Sequence, residues 1–203
     1  MIKSRICRPL KLDIDNSLIA LGGSLLDVTG NLQDTSSQAA IVLSLNQLSA
    51  FTTEPLLLIR AEKAGRGLDP VQVEDAHDCL FVALTSSFPM VSFEGLEASE
   101  QKVKELFSWN GGHNAYWGYE YLLEQSKTSD GMVPLRLDLD SWPKFTGEFD
   151  ARFPRSKFEM PPGSGTVLSQ TPLQNFVLKN GLRSELMHYG ANLDELKKEL
   201  PNE

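Results

Sequence analysis

Two stretches far apart in the chain carry one pattern, Pro9-Leu-Lys-Leu-Asp-Ile-Asp-Asn-Ser17 and Pro134-Leu-Arg-Leu-Asp-Leu-Asp-Ser-Trp142. In each, an aliphatic residue alternates with a charged one, so Leu10, Leu12 and Ile14, or Leu135, Leu137 and Leu139, share one side of an extended backbone. Period 2 is the pattern of a half-buried strand, and a helix cannot segregate such a sequence. The chain must therefore build a sheet with one apolar face. The likeness ends with these positions, which argues for two amphipathic strands, neighbours in one sheet, and against a fixed-period repeat.

Around them the same rules predict further elements. Residues 40 to 45 and 55 to 60 are short apolar runs suited to central strands, and 18 to 28 reads as strand broken at Gly22-Gly23. Asp69, Pro70 and Gln72, with Glu74 and Asp75 in the first turn, form a helix start signal. Val73, Ala76, His77, Leu80, Phe81 and Leu84 follow at helical spacing, and the helix should stop near Phe88-Pro89. A strand at Met90 to Phe93 precedes a helix capped by Ser99, with Val103, Leu106 and Phe107 inward, a Glu100–Lys104 surface pair, and Gly111-Gly112 as its end. Asn114 should cap a third helix carrying Tyr116, Tyr119, Leu122 and Leu123, making a helical hairpin. Pro134 gives the 133 to 139 strand an edge position, and 141 to 170 has the Pro and Gly content of a long structured loop. Thr171, Pro172 and Gln174 open a C-terminal helix, and Asn192 with Glu195 caps a last one that docks on its own domain.

The expected fold is one α+β domain over residues 1–203. Its sheet, mostly antiparallel or mixed, comes from the N-terminal half and the 132–140 strand and packs against the middle hairpin and the C-terminal helices. One contiguous core should hold Leu12, Val73, Leu80, Phe81, Leu84, Leu106, Phe107, Leu122, Leu137 and Phe176.

Composition narrows the function. With 41% hydrophobic and 23% charged residues spread over 203 positions, the chain has the balance of a globular protein. A net charge of -8 argues against nucleic acid and anionic membranes as partners. The basic groups Lys3, Arg5, Arg8, Lys11 and Arg60, Lys63, Arg66 lack the interleaved aromatics of single-strand binders. Two cysteines, Cys7 and Cys79, make neither a disulfide framework nor a metal spacing and suit a reducing compartment. The apolar run Leu18 to Leu21 is too interrupted for a signal sequence, so a soluble, acidic, cytoplasmic protein is expected.

Three constellations bear on chemistry. The acidic strands place Asp13 with Asp15 and Asp138 with Asp140 on shared faces. Convergence of the two pairs would hold Mg or Mn, with Lys11 or Arg136 steadying a phosphate in a hydrolase or phosphotransferase. A solvated strand face explains the same residues with less. Leu12-Asp13-Ile14-Asp15-Asn16-Ser17-Leu18 also resembles the first motif of the haloacid dehalogenase-like phosphatases, which implies Asp13 as nucleophile and Asp15 as general acid. That family's strand is apolar on both faces and its later lysine and acid motifs have no counterpart here, so membership is not assigned.

The second constellation is histidine and cysteine: His77, His113 and His188 lack metal spacing, and Cys79 on a helix turn would have no facing base. The third is the aromatic stretch from Trp109 to Tyr121, in which Trp109, His113, Asn114, Trp117 and Tyr121, joined by Trp142 of the following loop, would contact a partner or a small ligand. Trp117 and Tyr121 would point outward. Gly163-Ser-Gly165 lacks the ending of a phosphate loop. The residues favour a non-enzymatic interaction or assembly module whose partner is another protein chain, homo- or hetero-oligomeric, with no cofactor.

Overall fold

The computed structural model describes residues 2–4, 9–32, 40–63, 67–85, 87–95, 99–126, 133–152, 168, 171, 176 and 189–199. Strands hold 50% of the described residues and helix 14%, so the expected α+β fold, a sheet packed against a helical hairpin and C-terminal helices, is replaced by a β-solenoid-like stack of parallel strands. Among the described residues there are twelve strands: β1 Ile2–Ser4, β2 Leu10–Leu21, β3 Leu26–Asn31, β4 Ile41–Thr52, β5 Leu57–Glu62, β6 Val71–His77, β7 Leu80–Ala83, β8 Val91–Glu94, β9 Phe107–Gly112, β10 Ala115–Trp117, β11 Leu123–Gln125 and β12 Arg136–Leu137. The described helices are α1 Glu100–Leu106, α2 Trp142–Thr146 and α3 Leu193–Glu199.

Each coil of the stack crosses a bent sheet and then a flat one. The flat sheet runs β1-β3-β5-β8-β11-β12, parallel except at the β11–β12 pair. In the bent sheet, β2 lies on β4, β4 on β6 and β7, and these on β9 and β10. Register stacks like on like: Leu10, Ile41, Val71 and Phe107 form one inward column, and Leu26, Leu57, Val91 and Leu123 another. Burial supplies the stability of such a stack, since each coil contacts only its neighbours and has no core of its own.

The bend has a single backbone cause. Asn16, Gln47, Asp78, His113 and Asp150 all have positive φ, between 38° and 54°. The strand pairings on either side place them in one column, one per coil. A left-handed residue turns the chain without a loop, and Asn, Asp and His enter that region at less cost than other side-chain-bearing residues. Four of the five are of those types.

The correction to the expected 69 to 88 helix follows. Val71 and Val73 point inward on an ordinary strand, an irregularity between Leu43 and Ser44 of β4 against β6 shifts the phase so that Ala76 is buried next, and Asp78 turns the chain into β7. Bulge and crease together imitate a 3.6-residue stripe. The third helix of the expected hairpin is likewise absent: Phe107 to Gly112 is strand, His113 is the crease, and Ala115 begins β10. The Ser99 cap and the Glu100–Lys104 pair, at 2.8 Å, are present, but α1 ends at Leu106 and not at the glycines. Residues 141 to 170 begin with α2 rather than loop; most of that stretch and the helix expected from Thr171 lie outside the described residues, as do Arg5, Cys7, Arg8, Arg66 and His188.

The core has two parts, not the single cluster expected. Val73, Phe81, Leu106, Phe107, Leu122 and Leu137 lie inside the coils with Leu12 packed against them. Leu80 and Phe176, flanked by Leu84, belong to a second cluster with Phe51, Val82 and Ala115. β7 and β10 separate the two clusters, because alternate residues of a strand face opposite ways.

Candidate functional site

The last coil is closed by a polar knot. Trp142, the first residue of α2, is fully buried and packs on Trp109 at 5.4 Å, Phe107 at 6.3 Å and Tyr116 at 6.4 Å between ring centroids. Its indole N–H donates to Glu148 Oε2 at 2.5 Å, Tyr116 donates its hydroxyl to the same carboxylate at 2.7 Å, and Asn114 donates to Oε1 at 2.7 Å. Asn114 also accepts from the Cys79 N–H at 2.9 Å, tying the knot to the coil before. Burial pushes the Glu148 carboxyl above its ordinary range against the hydrogen bonds that pull it down, and burial beside Glu148 raises the Tyr116 phenol strongly. All the donors are protein groups, so this carboxylate pins the cap in place and presents no surface to a substrate.

Outside this cap, Phe149 lies over Gly112, where a β-carbon would collide with the ring, and is flanked by His113 at 5.0 Å and His77 at 6.0 Å. His113 Nδ1 sits 3.1 Å from Asp150, which also takes Arg152 at 2.7 Å, and His77 pairs with Asp75 at 2.9 Å. Cys79 is buried, and burial lifts its thiol to about 12, which leaves it without nucleophilic character.

The sequence-derived site residues scatter over this frame. Trp109, Asn114 and Trp142 are interior, where they pack and hydrogen-bond within the cap. His113 is at the surface on the crease. Trp117 is half-buried against the second cluster, and Tyr121 is half-buried with the Arg136 guanidinium 5.1 Å from its ring. The two acidic strands are not neighbours: Asp13 and Asp15 lie on β2 of the bent sheet, while Asp138 follows β12 of the flat sheet. Asp138 accepts from the Ser141 hydroxyl at 2.6 Å and from the Ser141 and Asp140 N–H groups, a local turn leading into α2 that lowers its carboxyl below the ordinary value. Asp15 accepts from Asn46 at 2.5 Å, and Lys11 pairs with Asp13 at 3.3 Å. Arg60, proposed as part of a basic group, is spent on Asp27 and Glu94 at 2.9 and 3.0 Å. Among the described residues no three His, Cys, Asp or Glu side chains are grouped to hold a metal ion.

The first coil presents a surface that the sequence reading missed. Apart from Asn16, β2 pairs with β4 along its length on one side, and among the described residues no strand pairs with its other edge. Leu10, Leu12, Ile14, Ile19 and Leu21 are only half-buried, whereas their register partners Ile41, Leu43, Leu45, Ala50 and Thr52 are at most 1% exposed. The flat side of the same coil is finished: β1 pairs with β3, and Leu26 and Val28 beneath it are 0% and 2% exposed. The outward row on the open strand is Lys11, Asp13 and Asp15.

The C-terminal segment seals the crease beside this strand. Gly190 donates to the Asp78 carbonyl, Ala191 to Ser49 Oγ at 2.9 Å, and Asn192 to the Asn16 side chain at 2.7 Å. Asn16 in turn donates to Glu195 of α3 at 3.2 Å, and Asn192 caps α3 by accepting from the Glu195 N–H. The expected docking of the last helix on its own chain is thus seen, without the expectation's having located the site.

No family model, curated protein or solved structure matches the chain. No described helix is long and apolar enough to cross a membrane.

Proposed function

We propose that the chain is a non-enzymatic protein-interaction module whose working surface is the open bent side of the first coil, where β2 takes a strand from another protein chain. The observation that carries this reading is the contrast between two adjacent rungs of one ladder, with the inward residues of β4 buried and their register partners on β2 half-bare. An edge of this length, without a strand partner among the described residues and apolar on alternate residues from Leu10 to Ile14, is a template for strand addition, and proteins that do not use such an edge blunt it. Covering it adds main-chain hydrogen bonds and roughly 1 kcal/mol for each half-exposed aliphatic side chain removed from water. Lys11, Asp13 and Asp15 give the added strand a charge pattern to match, so specificity comes from the outer row and affinity from the inner one.

The test is site-specific photo-cross-linking in the native cell, with a benzophenone side chain in place of Asp13 in one strain and of Lys104, on α1, in another. A discrete adduct from position 13, absent from position 104, is the expected result. An absence of any adduct from position 13 in the folded protein overturns the reading.

A further inference from the structure

We infer that the strand seated beside β2 is β1 of a second copy of this chain, so that two copies exchange β1 reciprocally across a twofold axis. This rests on the reading of the first coil as an interface and names its occupant. The geometry behind it is a step. On the flat side the first coil is raised by one strand, because β1 lies beyond β3; on the bent side the described residues stop at β2.

Three ways of stacking two copies end on end can be compared. Head-to-tail contact is blocked, since the last coil is filled by the fully buried Trp142 and carries β12 antiparallel on β11 and the bridges at Phe149 and Arg152. Head-to-head contact with flat side on flat side sets β1 against its own copy and leaves the two β2 strands three strand separations apart, about 14 Å, where they cannot pair. Head-to-head contact with flat side on bent side fits the raised half of each copy into the recessed half of the other. Each β1 then lies between its own β3 and the partner copy's β2, and the two first coils are two strand separations apart, about 10 Å, on both sides. Such a contact is isologous and closes at two copies. A twofold axis perpendicular to the stack reverses the direction in which a coil is traced, so the new pair is antiparallel, with β1 beside residues 10–15. The other limb of β2 begins at Asn16, which is already engaged by Asn192 and Glu195.

The experiment uses the purified full chain at micromolar concentration, with sedimentation equilibrium for mass and benzophenone at position 13 for contact. A dimer is expected, with the cross-link mapped by peptide mass spectrometry to residues 1–8 of the other copy. L12K should weaken dimerisation by roughly thirtyfold or more while circular dichroism still reports strand, and L12V should leave it within a few-fold of the parent. The cross-link map does not depend on L12K folding. A monomeric parent chain, a cross-link to any other region, or a folded L12K that dimerises like the parent overturns the inference. A monomer whose position 13 captures a different protein in the cell defeats the exchange but leaves the interface reading standing; a monomer that captures nothing defeats both.

Discussion

At the last coil an indole fills the end of the core and a carboxylate with several donors holds it there, whereas at the first coil five aliphatic side chains are only half-buried beside a main chain without a strand partner among the described residues. Both ends terminate the same ladder, and both face the same problem, because a coil in the middle is covered above and below and a terminal coil is covered once. At the closed end the solution is built from one short segment, Asp138 to Glu148, which turns on the Asp138 side chain, lays α2 across the core and returns Glu148 beneath it. At the open end the flat half is capped by β1 and the bent half is left as a strand edge. A stack that needed only stability would close both. The difference separates a residue set that serves the fold from the surface on which the proposed interface rests.

The largest effect should come from opening the closed end. Trp142→Ala removes the ring that Trp109, Phe107 and Tyr116 pack on and leaves Glu148 one donor short, so a loss of about 3–5 kcal/mol is expected. Urea unfolding followed by circular dichroism measures it. A loss below ~1 kcal/mol would mean that the last coil is not held by its cap, and the contrast between the ends would lose its closed side.

A paired truncation sharpens the contrast within one column. Leu12 and Leu43 are register partners, the first half-buried and the second 0% exposed. Leu43→Ala should cost about 2–5 kcal/mol, and Leu12→Ala in the isolated copy well under half of that, since the area withdrawn from water is smaller and water can enter the gap. Equal losses under dissociating conditions would show that β2 is covered in the monomer, and would remove the edge on which the proposed interface depends.

Parts of this contrast were legible in the sequence and parts were not. Alternation revealed β2 and its inner face, the apolar runs revealed β4 and β5, and the Ser99 and Asn192 caps were read at their true positions. What failed was the step from elements to architecture. The solenoid column Leu10, Ile41, Val71, Phe107 conserves only apolar character, and the near-repeat that drew attention, Pro9 to Ser17 against Pro134 to Trp142, joins strands of different sheets. The signal that could have found the coil was the recurrence of Asn16, Asp78, His113 and Asp150 between short apolar strands, broken by Gln47, which is costlier in the left-handed region. The aromatic stretch misled for a related reason: Tyr116 and Trp117 are sequence neighbours on a strand, so one enters the core and the other packs on the outer cluster, and neither face is a helix face. The open edge had no sequence signal, because a strand at the end of a ladder is written in the same alternation as one in its middle.

The smallest effect concerns pH and acts on the coil next to the cap. The Cys79 thiol is raised from 9.0 to about 12 by burial, and Tyr116 is raised as well, so the folded state keeps protons that the unfolded chain gives up. A group whose folded value lies above its unfolded one contributes stability that is complete below the unfolded value and is lost as pH rises toward the folded value. Stability should therefore be insensitive to these two groups up to about pH 9 and then fall by at most about 1.4 kcal/mol per pH unit for each group, with Cys79 acting first and Tyr116 adding to it above its own unfolded value. Cys79→Val keeps an apolar side chain in the column and removes the earlier of the two titrations, so its stability should stay flat for a further pH unit. Unfolding by urea at a series of alkaline pH values compares the two chains. Parallel curves would mean that the thiol reaches water in the folded state, which would place an opening at the crease between the fourth coil and the third and make the supposedly closed end the more permeable of the two.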